Sequence, residues 1–205
     1  MKKYITEFTG TFFLVLVIGL SGNPLAIGAI LMVMVYMGGH ISGAHYNPAV
    51  TLALLMRKKI GSGEAIMYMV FQIVGATLAA LLVYLLTKQT FGPVPKEGYN
   101  ILKPLFIEGA FTFALASVVL NVAATKATNG NSYYGLAIGF TVLAGAIAGG
   151  PISGGAFNPA VGIGPLVIDQ AFFGSGNIAN IWIYLVGPFA GGALAAIIHG
   201  FTDPD

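Results

Sequence analysis

Apolar runs recur along this chain at lengths that suit membrane helices better than the core of a soluble domain. A helix rising about 1.5 Å per residue needs about 20 mostly apolar residues to cross a hydrocarbon layer of about 30 Å. Six segments come close to this, at about 5–22, 25–41, 63–86, 104–124, 132–150 and 177–200. Pro24 and Pro104 stand where proline suits the start of a helix. Two further apolar stretches, from Asn47 to about Met56 and from Asn158 to about Ile168, have only about half the length a crossing requires. A half-crossing left in lipid would strand terminal N–H and C=O groups, so both stretches are expected to re-enter, buried in protein or against a wet cavity. Entering from opposite faces and meeting at their N-termini, they would complete one span. The first run begins with Lys2 and Lys3 like a cleaved leader, but Glu7 interrupts it and no small-residue cleavage pattern follows, so it is read as the first membrane helix. The expected fold class is therefore all-α, with six transmembrane helices and two re-entrant half-helices.

The chain also repeats itself. Glu7-Phe8-Thr9-Gly10-Thr11-Phe12 returns as Glu108-Gly109-Ala110-Phe111-Thr112-Phe113. Ser42-Gly43-Ala44-His45-Tyr46-Asn47-Pro48-Ala49-Val50 returns as Ser153-Gly154-Gly155-Ala156-Phe157-Asn158-Pro159-Ala160-Val161. One domain, 1–205, thus holds a first repeat over about 1–86, a second over about 104–200, and an outer connector over about 87–103 that carries Gly92, Pro93, Pro95 and Gly98. Each repeat has three spans, an odd number, so the second must be inverted, which places a functional site near the midplane.

Composition agrees with this picture and removes other classes. Hydrophobic residues make up 57% of the chain and charged ones 8%, against about a quarter charged in a soluble domain. A net charge of +2, scattered along the sequence, gives no surface for nucleic acid. With no cysteine there is no thiolate nucleophile or thiolate metal site, and no cofactor motif is present. Lys2, Lys3, Arg57, Lys58, Lys59 and Lys126 fall on one side of the six-span arrangement and Lys88, Lys96 and Lys103 on the other, which predicts that both termini are cytoplasmic.

The two Asn-Pro-Ala triplets carry the chemistry. Asn is a favoured N-cap, Pro at the first helical position loses no useful N–H, and Ala lets two helix ends come close. With Asn47 and Asn158 capping through their oxygens, both amide NH2 groups are expected to be free to donate into the lumen. Facing helix N-termini add partial positive charge at the same place. A passing water or alcohol oxygen would accept two bonds there, while a cation would meet a repulsive field. The approach segments, Ile41 to Tyr46 and Ile152 to Phe157, are expected to be extended, offering a ladder of carbonyl acceptors, with His40, Ser42, Gly43, His45, Ser153 and Gly154 lining the way.

On these residues the sequence resembles the major intrinsic protein family, the aquaporins and glycerol facilitators, over nearly its whole length. Gly39 to Thr51 is similar to the family's first-loop signature, and Glu7, Gln72 and Glu108 also match. The resemblance implies an aquaporin-like fold, a homotetramer with one pore per subunit in the cell membrane, and water or small neutral solutes as the transported species. It also sharpens a departure. Most members place an Arg directly after the second Asn-Pro-Ala, and here that position is Val161. Counted without gaps, the other members of the outer constriction fall on Ile27, Ala146 and Gly155, all apolar or small. The aspartate that glycerol facilitators place one residue further on is replaced by Gly162. A wider, less polar constriction follows, open to glycerol, urea or ammonia.

Glu7 and Glu108, as carboxylates in apolar spans, are candidate proton carriers by position. Their symmetric placement favours a second role, accepting bonds from backbone N–H groups of the re-entrant loops. His40 and His45 offer no third ligand for a metal. Catalysis lacks a base beside Ser42 or Ser153. A secondary transporter, which shares inverted repeats and broken helices, and a weakly conducting structural protein remain as alternatives.

Overall fold

The computed structural model describes residues 1–175 and 177–203. These residues form helices without strands. Six are long and apolar enough to span: α1 (Lys2–Ser21), α2 (Pro24–Ser42), α4 (Ser62–Thr87), α5 (Leu102–Val119, continued by one π-helical turn at Leu120–Ala124), α6 (Tyr134–Ser153) and α8 (Ile183–Thr202). Between them lie two shorter helices, α3 (Pro48–Met56) and α7 (Pro159–Phe172). At 9 residues α3 is far too short to cross.

Several expected boundaries shift by a few residues. The chain stays helical through Ser42 and through Pro151 to Ser153, beyond the expected ends of the second and fifth spans. Proline is tolerated there because neighbouring elements in a membrane bundle can satisfy the freed backbone groups. Helix α7 continues four residues past Ile168, because Asp169, which ends the apolar run in the sequence, is itself buried and accepts the Thr90 hydroxyl at 2.6 Å. The last span begins as a 3₁₀ turn at Asn177–Asn180 before α8.

Packing follows the repeat. In the first half α1 lies against α2 and α4, and in the second α5 lies against α6 and α8. Each half-helix packs on the last span of the opposite repeat, α3 on α8 and α7 on α4, while α2 and α6 join the halves. Small residues make the crossings tight: a Cβ on Gly75 would lie 2.6 Å from the Phe8 carbonyl oxygen, and one on Gly191 would overlap the Gly109 carbonyl. Van der Waals packing of close backbones replaces the hydrophobic drive that lipid cannot supply. Outside the bundle Leu25, Phe106, Ile147 and Phe201 are more than half exposed, an apolar belt suited to lipid.

On the side that carries the chain termini, called inner with the opposite side outer, the ends of α3 and α8 and the segment after α5 are tied together. Arg57 Nε donates to His199 Nδ1 at 3.1 Å, its Nη2 donates to the Asp203 carbonyl at 2.6 Å, and Thr125 Oγ1 donates to Asp203 Oδ2 at 2.7 Å. The Thr125 bond, with help from nearby His199, Lys59 and Arg57, holds the Asp203 carboxyl below its ordinary range. The Thr125 bond to that carboxylate is therefore present at neutral pH and weakens only on acidification through the lowered value.

Candidate functional site

Asn47 and Asn158 sit in extended backbone directly before α3 and α7, each with proline at the first helical position. Asn47 Oδ1 accepts the Ala49 N–H at 2.8 Å and Asn158 Oδ1 accepts the Ala160 N–H at 2.9 Å. The amide nitrogens cross over: Asn47 Nδ2 donates to the Phe157 carbonyl and Asn158 Nδ2 to the Tyr46 carbonyl, both at 2.9 Å. Each contact is the other's mirror, as a local twofold between inverted repeats requires. This corrects the expectation that both NH2 groups are wholly free. One N–H of each locks the opposite loop, and one per Asn is left for the lumen. Pro48, Ala49, Pro159 and Ala160 are buried behind the asparagines and line neither of the two cavities described below. They shape the helix starts and let them meet.

The loops leading to the asparagines are not extended. Gly43, Ala44 and Tyr46 in the first, and Gly154, Gly155 and Phe157 in the second, all have positive φ, between 49° and 91°. For Tyr46 and Phe157 this region is unfavourable and must be held by neighbours. Successive N–H groups then converge on one acceptor. Glu7 Oε1 accepts from Ser42 Oγ at 2.6 Å and His45 N at 3.0 Å; its Oε2 accepts from Tyr46 N at 2.7 Å and Gln72 Nε2 at 2.8 Å. Glu108 repeats the pattern, Oε1 accepting from Ser153 Oγ at 2.7 Å and Ala156 N at 3.0 Å, Oε2 from Phe157 N at 2.6 Å. Both carboxylates are 0% exposed, so every bond is made away from water.

Two tyrosines that the sequence reading did not single out complete the pattern. Tyr68 donates to the Ser42 carbonyl at 2.8 Å and Tyr184 to the Ser153 carbonyl at 2.6 Å. Among the described residues no donor meets the carbonyls of Gly43, Ala44 and His45, or of Gly154, Gly155 and Ala156. Those oxygens are available to a solute, so the acceptor ladder exists, in a turned rather than extended backbone.

A cavity of about 400 Å³ runs from the outer mouth to the asparagines and beyond. Ile27, Ala146, Gly155 and Val161 all line it, as do Gly154, Asn47 and Asn158. Phe91, Gly92 and Pro93 of the outer connector line it too, held there by the Lys96 N–H bond to the Ile152 carbonyl at 3.1 Å and by Thr90 on Asp169. On the inner side a second cavity of about 310 Å³ is lined by Ser42, Gly43 and His45, with Lys3, Lys59 and Glu64 at its rim. Two expected lining residues stand elsewhere. His40 is exposed on the last turn of α2 and lines neither cavity, because its position on the helix points it away from the loop that follows. Ser153 is fully buried behind the second loop, its hydroxyl spent on Glu108.

Two half-helices meeting at a lumen through an inverted six-helix repeat define a passive transmembrane channel. Residues 1–199 match the family described as Major intrinsic protein, and the chain belongs to that family. A glycerol uptake facilitator protein-like 6 from Lactiplantibacillus plantarum is 37% identical over 96% of this chain and 95% of its own length. Aquaporin NIP1-1 from Oryza sativa subsp. japonica is 36% identical over 99% of this chain and 76% of its own. The X-ray structure of the aquaglyceroporin from Plasmodium falciparum has the same fold, with a TM-score of 0.87 at 23% identity, covering 97% of this chain and 94% of that one.

Proposed function

We propose that this channel carries water together with larger uncharged solutes of the glycerol, urea and ammonia class, excluding cations at the paired asparagines. The observation that carries the reading is the outer cavity itself. Its lining contains no Asp, Glu, Lys or Arg, and its four outer positions are Ile27, Ala146, Gly155 and Val161. Small and aliphatic walls leave room for a carbon skeleton, and unused loop carbonyls accept the hydroxyl or amide hydrogens of a solute. The naming of the L. plantarum relative as a glycerol uptake facilitator-like protein points the same way. Glu7 and Glu108 serve as loop supports. With three or four donors each, neither has the open coordination that a transporter's coupling ion would need. The basic residues Lys3 and Lys59 on the inner rim favour a cell-membrane orientation with both termini cytoplasmic, and the family suggests a homotetramer.

Glycerol uptake into vesicles carrying the purified protein, followed by light scattering, tests the reading; uptake several-fold above protein-free vesicles is expected. Cation exclusion has its own test. In Asn47→Asp the cap oxygen stays but a carboxylate oxygen replaces the amide nitrogen, which removes both the lumenal N–H and the bond to the Phe157 carbonyl and turns the midplane from cation-repelling to cation-attracting. A proton or cation leak well above the parent, read by a pH-sensitive dye inside the vesicles, is the expected outcome. A leak no greater than the parent's would move cation exclusion away from the asparagines.

A further inference from the structure

The outer cavity does not break at the level of Ile27, Ala146, Gly155 and Val161. It continues inward past the asparagines as far as His45 and Val119, and the inner cavity begins at those same two residues, the only ones common to both linings. The route through the protein therefore narrows between them. We propose that this inner neck, formed by the His45 ring and the Val119 side chain, is the point at which the channel sorts uncharged solutes by size. The inference rests on the channel reading above and names where in that channel selection occurs.

Both walls of the neck are built firmly. His45 hangs by its backbone N–H from Glu7, its ring lies 5.0 Å from the Tyr68 ring, and its Nδ1 is 3.1 Å from Thr51 Oγ1. The Thr51 hydroxyl donates to the Asn47 carbonyl at 3.0 Å, so its oxygen is left to accept, from Gln72 Nε2 at 3.0 Å and from the ring. That network assigns the ring proton to Nδ1 and leaves Nε2 as an acceptor.

Val119 is the last residue of α5, directly before the π-helical turn, and is 5% exposed. A π turn leaves carbonyls without their usual partners, and here side chains from the following segment take them. Thr128 Oγ1 donates to the Asn121 carbonyl at 2.5 Å and Asn131 Nδ2 to that of Val122 at 2.7 Å. The turn that follows Val119 is thus pinned at two successive residues. The neck pairs a residue carrying one acceptor nitrogen with one aliphatic side chain. Such a neck suits a solute with hydroxyl or N–H groups along one edge and carbon along the other, which describes small polyols and urea.

The test is a series of Val119 variants reconstituted in vesicles and challenged with glycerol, erythritol and xylitol, with water permeability measured alongside. Val119→Ala should raise the flux of the largest polyol the parent passes several-fold, or admit the next one. Val119→Ile should lower that flux, and Val119→Phe should suppress polyols while water still passes. Retained water flux certifies that a variant is folded, and the Ala and Ile variants decide the matter if the Phe variant does not assemble. If the parent passes glycerol but the polyol order and rates are the same in the Ala, Val and Ile forms, the neck does not select and the inference is overturned with the channel reading intact. If the parent passes no solute above protein-free vesicles, both fall.

Discussion

Glu108→Leu is expected to prevent assembly of the channel. The substitution leaves Ala156 N and Phe157 N without an acceptor in a place that no solvent reaches, and Ser153 Oγ with only the long 3.5 Å bond to the Gly149 carbonyl. Each stranded donor costs about 1–3 kcal/mol, so the two stranded donors and the weakened one together approach the stability of about 5–15 kcal/mol of an ordinary folded domain. The loss is compounded by backbone strain. Phe157 at φ 50° keeps its left-handed conformation only while its N–H is held, and its carbonyl is the anchor for Asn47. Releasing one loop therefore releases the crossed asparagines as well. Purified in detergent, Glu108→Leu should elute as aggregate or melt far below the parent. Glu108→Gln keeps one acceptor oxygen and should fall between. A parent-like melting curve for the leucine variant would show that the carboxylate is not what holds the second loop.

The second large effect is on selectivity. In Val161→Arg a guanidinium enters the outer cavity across from Ile27, Ala146 and Gly155. The side chain at position 161 is almost wholly enclosed, so the added charge must find partners within the lumen, and the unused carbonyls of Gly154 to Ala156 on the same cavity are acceptors the site offers. Filling that space should lower glycerol and urea permeability by about tenfold or more while water, a single small donor and acceptor, is reduced much less. Water flux distinguishes this result from misfolding. Unchanged glycerol uptake would place residue 161 off the conduction path.

How much of this was legible in the sequence depends on the range of the interaction concerned. The spans could be read because lipid imposes a length, and the half-helices because they fall short of it. The inverted relation followed from three spans per repeat together with Asn47 and Asn158, whose reciprocal bonds to Phe157 and Tyr46 now express it. Positions that a gap-free count could reach, Ile27, Ala146, Gly155 and Val161, do line one cavity.

Helix ends were harder. Inside a membrane bundle every face is apolar, so no periodic contrast shows which face of α2 meets the lumen, and His40, expected to line the pore, stands on an exposed face instead. Tyr68 and Tyr184 play the same part in the two repeats but stand at different spacings from their asparagines, so aligning the motifs without gaps hides the match. Val119 looks like any other span residue, and Phe91 to Pro93 like any connector. Their placement at the lumen is a long-range packing result that no local pattern encodes.

The central claim is passive passage of uncharged solutes larger than water. It is tested most directly by stopped-flow light scattering of vesicles containing the purified protein, measuring glycerol influx over a range of gradients with and without a proton gradient. Influx well above protein-free vesicles is expected, rising in proportion to the glycerol gradient and indifferent to protons. Influx that saturates and follows the proton gradient would identify a coupled transporter, and influx equal to that of protein-free vesicles would mean that the lumen does not conduct glycerol at all.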